Sequence, residues 1–249
     1  MNEKGELGMA EKPTFQMDGI DVPFEAGQSI LSAALAAGRF IPYLCYHPEF
    51  RAHGSCKLCT VKVNGRTHAS CTTPAHEGDV VESDTEELLS LRRGLVQFLF
   101  TEGNHFCPSC EASGSCTLQA MGYELGLAEA HYPPLFPNRS VDASHPEVLL
   151  DFNRCILCEL CVRASSLVDQ KNVFALSGRG ITKHLVVSSE SGLLGDTNLS
   201  VDDKAMSVCP VGVILRKRRG FATPIGARKF DAHPIREVAI GDANGKEKR

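Results

Sequence analysis

The 249-residue sequence has no tryptophan, and aromatic residues make up only 6% of it. A core organised around large aromatic rings is therefore excluded. Long hydrophobic runs are also missing. The longest apolar stretch, ILSAALAAG (Ile30 to Gly38), falls far short of the roughly 20 residues that cross a bilayer as a helix. The first residues, MNEKGELGMAEKP, are mixed in charge and lack the apolar centre of a secretory signal. Excess positive charge is absent too: the formal charge is −4, which speaks against nucleic acid as a partner. SGRGITK (Ser177 to Lys183) has two glycines and lacks the third of a dinucleotide-binding turn.

Cysteine is abundant, with eleven in the chain. An odd count in a chain without a signal peptide does not fit a secreted disulfide scaffold. The expectation is a cytoplasmic protein without a membrane span, in a compartment where clustered thiolates mean metal. The cysteines fall into three groups. Cys45, Cys56, Cys59 and Cys71 form the first; Cys107, Cys110 and Cys116 the second; Cys155, Cys158, Cys161 and distant Cys209 the third.

Local patterns place these groups. TFQM and IDVPF flank Asp18-Gly19, the dipeptide of a two-residue hairpin turn. EAGQSILSAALAAG follows as a helix, with Gln28 or Ser29 as N-cap and Gly38 as C-cap. A hairpin followed by a packed helix suggests a β-grasp. In CTVKVNGRTHASC, a turn at Asn64-Gly65 pairs Val63 with Arg66 and brings Cys59 opposite Ser70, beside Cys71. The stretch from Asp84 to Gly103 reads as a helix, with Asp84 and Glu87 as a capping box. Leu88, Leu91, Leu95, Phe98 and Leu99 form its apolar face. HYPPLFPNRSVDASHPE reads as a proline-rich connection. The segment after Phe221 shows little apolar periodicity, and DANGKEKR at the end reads as disordered.

Each group has its own ligand logic. CILCELC is C-x2-C-x2-C, the opening of the bacterial ferredoxin run, and Cys209-Pro210 supplies a Cys-Pro after a long insertion. This set favours a [4Fe–4S] cube, with structural zinc as the alternative. The first group, C-x10-C-x2-C-x11-C, favours [2Fe–2S] on a β-grasp but departs from the plant-type spacing; zinc is again the alternative. The second group, in GNHFCPSCEASGSC, is one thiol short of four. The nearest metal-competent side chain is His105, which makes either a third cluster or a Cys3His zinc site.

Four motifs in this order are specific: IPYLCYHPEFRAHGSCKLCTVKV, GNHFCPSCEASGSCTLQ, FNRCILCELCVRA and CPVGVIL. They resemble the N-terminal iron–sulfur region of the large iron–sulfur subunit of respiratory complex I. They are still more similar to the small diaphorase subunits of soluble NAD-reducing [NiFe] hydrogenases. The resemblance covers roughly residues 13 to 235. It implies an α+β chain with a β-grasp [2Fe–2S] ferredoxin domain, a small helical His/Cys3 [4Fe–4S] domain and a bacterial-ferredoxin-like [4Fe–4S] domain. The implied ligands are Cys45, Cys56, Cys59 and Cys71 for [2Fe–2S]. His105, Cys107, Cys110 and Cys116 would hold one [4Fe–4S] cluster, and Cys155, Cys158, Cys161 and Cys209 the other. Complex I relatives carry the histidine four residues before the first cysteine, where this chain has Gly103; here it stands two before. That favours the hydrogenase branch, as does a chain length that leaves no room for a molybdopterin-type region.

The expected boundaries are a flexible 1–12, a [2Fe–2S] domain at 13–84, and a His/Cys3 domain at 85–130. A ferredoxin-like domain at 131–220 and a tail at 221–249 complete the chain. The expected role is an electron conduit without a catalytic site of its own. It would join a hydrogenase module, holding the nickel–iron centre in small and large subunits, to a flavin subunit that binds FMN and NAD. Rival readings are a subunit of a bifurcating [FeFe] hydrogenase, a complex I-like dehydrogenase, a free multicluster ferredoxin and a zinc-binding interaction module. With oxidised clusters the formal charge becomes about −9, and RKRR (Arg216 to Arg219) would offset it, dock an acidic partner or form a solvated face.

Overall fold

The computed structural model describes residues 12–129, 131–135 and 137–245. Strands β1 (Thr14–Met17) and β2 (Ile20–Pro23) form the first hairpin. Asp18 (φ 49°) and Gly19 (φ 81°) supply the left-handed pair its turn requires. Helix α1 (Ile30–Ala36) starts at Ser29, whose hydroxyl accepts the Ser32 N–H at 3.2 Å. It is capped at Ala37 and released by Gly38 at φ 74°. Strands β3 (Thr60–Val63) and β4 (Arg66–Ala69) pair with Val63 opposite Arg66, and the Ser70 N–H donates to the Cys59 carbonyl at 3.1 Å. Strand β5 (Val80–Glu82) enters between the hairpins, parallel to β1 and antiparallel to β3, giving the order β2-β1-β5-β3-β4. Phe15, Met17, Val22, Val61 and Val81 point to one side of this sheet and bury Ile30, Leu31 and Leu35 of α1 in a core of their own.

Helix α2 (Glu86–Thr101) leads away from the sheet. Thr85, one residue later than the expected Asp84, caps it by accepting the Leu88 N–H, and Glu102 closes it before Gly103. The expected apolar face is corrected by the structure. Leu88 is buried and Leu95 and Leu99 are half-buried, but Leu91 and Phe98 are exposed, and the buried stripe continues through Arg92 and Val96. Arg92 takes a core position because its guanidinium has a full set of acceptors: the carbonyls of Leu58, Thr60 and Ser83 at 3.2, 2.9 and 2.7 Å. Phe98 instead stacks on Tyr132, centroids 5.3 Å apart.

The remainder shares a second core. It comprises α3 (Thr117–Glu124) and a three-stranded sheet, β6 (Val141–Asp142), β7 (Val148–Asp151) and β10 (Ile214–Arg216), in the order β10-β7-β6. To these are added α4 (Leu160–Leu167), the hairpin of β8 (Phe174–Ser177) and β9 (His184–Val187), and α5 (Lys204–Ser207). SGRGITK forms the tip of that hairpin. In RKRR, Lys217 donates to the Ala143 and His145 carbonyls at 2.6 Å each, while Arg218 and Arg219 face solvent.

The segment after Phe221 is structured. Arg228 donates to the Ser113 carbonyl, and helix α6 (Ile235–Ala243) buries Ile235 and Ala239 between α1 and α3. Its buried i, i+4 pair, Ile235 and Ala239, is too short a pattern to stand out in the sequence. Asp242 and Ala243 of the terminal DANGKEKR belong to this helix; 246–249, like 1–11, lie outside the described residues. Among the described residues no helix is long and apolar enough to cross a membrane.

Candidate metal centres

The first cysteine group straddles the two cores. Cys59 and Cys71 belong to the core of the five-stranded sheet, while Cys45 and Cys56 pack against the second core. The β3–β4 register brings Cys59 beside Cys71, as the Asn64-Gly65 turn requires. The loop before β3 turns at Lys57, held at φ 55°, a left-handed conformation that costs a non-glycine residue about 1–2 kcal/mol. The thiols are associated in two pairs that follow the same division. Hydrogen bonding from Cys56 lowers Cys45 to about 5, and hydrogen bonding from Cys71 lowers Cys59 to about 7. The donors Cys56 and Cys71 are pushed up in return. In each pair the hydrogen bond favours the thiolate of one member, the form that binds metal.

The third group is enclosed. All four of Cys155, Cys158, Cys161 and Cys209 line one cavity whose other walls include Ile156, Leu157, Leu176, Leu185, Val211 and Val213. CILCELC wraps it through two left-handed residues, Leu157 (φ 54°) and Glu159 (φ 60°), and the Leu157 N–H points at Cys155 Sγ, 3.4 Å away. Such strain in adjacent turns marks a loop shaped by what it surrounds. Cys209 arrives from the far side because β7 and β10 pair, placing the residues just before Ile214 under the loop. Burial raises all four thiols, Cys155 to about 11 and Cys158 and Cys161 further. A thiolate in this apolar space needs a cation beside it.

The second group forms a tight turn: Cys107 and Cys110 bracket Pro108, and Cys116 stands at the start of α3. His105 folds back over Gly103, so closely that a Cβ on Gly103 would lie 2.3 Å from Nε2. Its ring meets Phe100 edge-on, centroids 5.8 Å apart. Burial, together with the nearby Arg154 charge, lowers His105 to about 4, so the imidazole is neutral. Its Nε2 is buried with no hydrogen-bond partner. A buried, unpaired ring nitrogen is costly in a folded protein, and in a neutral imidazole it is a donor that a metal can use.

These observations test whether iron–sulfur cores fit. Among the described residues no three His, Cys, Asp or Glu side chains converge tightly enough to hold a single ion. The donors themselves are thiolates and one neutral imidazole, the set that suits iron–sulfur chemistry. The residues fit.

The order of the groups in space differs from their order in sequence. Arg163 of α4 donates to the carbonyls of Cys45 (2.7 Å) and Cys158 (3.3 Å), joining the first group to the third. His53 and Glu159 form a second link across that seam at 3.4 Å. Arg154, the residue before Cys155, donates to Cys110 Sγ at 3.5 Å, and Cys116 Sγ lies 3.6 Å from the Pro210 carbonyl. Gly212 makes room for this approach: a Cβ there would meet Arg154 Nη1 at 3.1 Å and Cys110 Sγ at 3.3 Å. The third group therefore sits between the other two. Sequence reasoning missed Arg154, Arg163 and Gly212; the only signal was the position of both arginines within two residues of a cysteine, in NRC and CVR.

Known proteins agree with this division. Residues 10–86 match a 2Fe-2S iron-sulfur cluster binding domain, 92–131 the NADH-ubiquinone oxidoreductase-G iron-sulfur binding region, and 148–215 a 4Fe-4S single cluster domain. The chain is thus an iron–sulfur protein of mixed α/β structure with both [2Fe–2S] and [4Fe–4S] binding domains. It is 39% identical to the NAD-reducing hydrogenase HoxS subunit gamma of Cupriavidus necator, over 90% of this chain and 95% of that one. A crystal structure of an NAD+-reducing [NiFe]-hydrogenase in the H2-reduced state contains a chain 52% identical, with a TM-score of 0.89, covering 93% of this chain and 98% of that one. The mitochondrial NADH-ubiquinone oxidoreductase 78 kDa subunit of Candida albicans is 31% identical over 94% of this chain, which spans only 32% of that relative. The protein belongs to the gamma-subunit family of the NAD-reducing hydrogenases.

Proposed function

We propose that this chain is the iron–sulfur electron-transfer subunit of an NAD-reducing hydrogenase, working between a hydrogen-oxidising module and a flavin subunit that binds FMN and NAD. The observation that carries the reading is the serial arrangement of three thiolate-rich sites, each next to the following one, in a chain of this family. Cys45, Cys56, Cys59 and Cys71 would hold one [2Fe–2S] cluster, supported by their two hydrogen-bonded pairs. Cys155, Cys158, Cys161 and Cys209 would hold a [4Fe–4S] cluster in the apolar cavity. His105, Cys107, Cys110 and Cys116 would hold the other, with Nε2 of His105 as the ligand. Bound clusters of these types supply one-electron carriers.

The chain's own residues do the rest. Hydrogen bonding within the first group favours the thiolate at Cys45 and Cys59. The walls of the third are apolar apart from Glu159. The five-stranded sheet order with α1 against one face supports a β-grasp reading of residues 13–84. The proposed limit at 84 lies two residues before α2, which starts at Glu86.

The test is purification from cells that express the whole complex. The reading expects co-elution with the hydrogenase and flavin subunits, about ten irons per chain, and three distinct EPR signals on reduction. A colourless chain that binds zinc and elutes alone near its own 27.0 kDa contradicts it.

A further inference from the structure

The two seams between neighbouring sites are each bridged by an arginine, but the two arginines differ in charge balance. Arg154 is held by carboxylates on both sides: Glu111 at 2.7 Å and Asp151 at 2.7 Å. Its charge is neutralised locally. Among the described residues Arg163 has no carboxylate within ion-pair distance. Its donors all go to backbone carbonyls, those of Cys45 (2.7 Å), Arg51 (2.9 Å), Cys158 (3.3 Å) and Glu159 (3.4 Å). The nearest acidic side chain in sequence, Glu159, is engaged by His53 and Lys183 instead. Phe50, buried in the second core, covers the guanidinium at 5.9 Å. The result is a half-buried, unpaired cation fixed between one cysteine of the first group and one of the third.

A positive charge placed there favours whichever state carries more negative charge on either side. Reduction adds one electron to a site, so an unpaired cation at the seam makes both neighbours easier to reduce. The same four hydrogen bonds tie the loop around Cys45 to the loop around Cys158, which keeps the two sites close. The geometry points to Arg163 as a positioning residue that clamps these two loops together and lends its charge to both sites at once. This inference rests on the cluster assignments proposed above. It makes the first and third sites a tuned pair, with the His105 site outside its reach.

The experiment is EPR-monitored potentiometric titration of the intact complex, comparing wild type with Arg163→Gln and Arg163→Lys. The wild-type titration comes first: absence of iron–sulfur signals there defeats the cluster assignment itself, before Arg163 is tested. In Arg163→Gln the oxidised-to-reduced ratio at fixed potential should rise about tenfold at both the [2Fe–2S] site and the Cys155-group site, a fall of about 59 mV for one electron. The His105-group signal should stay in place. Arg163→Lys keeps the charge and should return both ratios to near the wild-type values, while the shorter ammonium, lacking the planar fork, no longer spans both carbonyls. Relaxation enhancement between the two reduced sites should then weaken. A Gln variant that shifts neither site, or only one, overturns the proposal. If Arg163→Gln fails to retain iron, Arg163→Lys decides alone: unchanged relaxation enhancement overturns the clamp.

Discussion

The first and third cysteine groups solve the same problem in opposite ways. The first lies partly on a sheet with its own core, and hydrogen bonding among its own thiols favours the thiolate at Cys45 and Cys59. The third has no such help. Its four thiols are buried in an apolar cavity that raises all of them, and the residues enclosing them belong to the core that the rest of the molecule shares. The first group is thus shared between the sheet and the second core, whereas the third lies wholly within the second. Since the enclosed site also lies between the other two, damage there should spread.

The largest effect should come from testing this asymmetry with single ligand losses. Cys158→Ala in the intact complex should remove about four irons, abolish hydrogen-driven NAD reduction to below about 1% of wild type, and lower thermal stability by 2–5 kcal/mol, as expected for opening a buried core site. Cys59→Ala should remove about two irons and leave both [4Fe–4S] signals intact. Equal loss of iron and stability in the two variants would erase the distinction.

Gly103→Ala should act on one signal alone. The new Cβ would occupy the space of the His105 ring, which must swing away while the backbone, not held at positive φ, is unstrained. The expected result is loss of the nitrogen coupling to one [4Fe–4S] cluster in pulsed EPR, with the other sites unchanged. Persistence of that coupling would show that His105 is not the ligand.

The smallest effect should come from the insertion that carries Cys209 back to its partners. Asp142 anchors it, accepting from the Leu194 N–H at 2.7 Å and from Ser144 N–H and Oγ at 2.8 and 2.6 Å. Burial raises its pKa, but these bonds outweigh burial and hold it below the usual aspartate value. Its contribution is therefore complete above about pH 4 and is lost as pH falls through the lowered folded value. Asp142→Asn should cost about 1–3 kcal/mol at pH 7, and the difference from wild type should vanish in acid. A pH-independent difference would assign the effect to packing.

What the sequence disclosed follows from how local each feature is. The hairpin turns at Asp18-Gly19 and Asn64-Gly65, and the pairing that sets Cys59 beside Cys71, depend on neighbouring residues and were legible in full. The three cysteine groups were equally plain. The inward face of α2 was misread because Arg92 occupies a core position, and its acceptors, the carbonyls of Leu58, Thr60 and Ser83, lie on other elements. Helix α6 was missed because its stability comes from α1 and α3 rather than from its own pattern. The spatial order of the sites was not legible at all. It rests on contacts between residues more than forty positions apart, such as Arg154 with Cys110 and Arg163 with Cys45. The histidine shifted from position 103 to 105 was visible as a departure. Its reason, a ring folded over a glycine, required the structure.

The Cys155, Cys158, Cys161 and Cys209 group stands between the other two. Pulsed EPR relaxation measurements on the stepwise-reduced intact complex test it most directly. Reducing the middle site should speed relaxation of both the [2Fe–2S] and the His105-group signals, and those two should not affect each other while the middle site is oxidised. Direct enhancement between the [2Fe–2S] and His105-group signals with the middle site oxidised would contradict it.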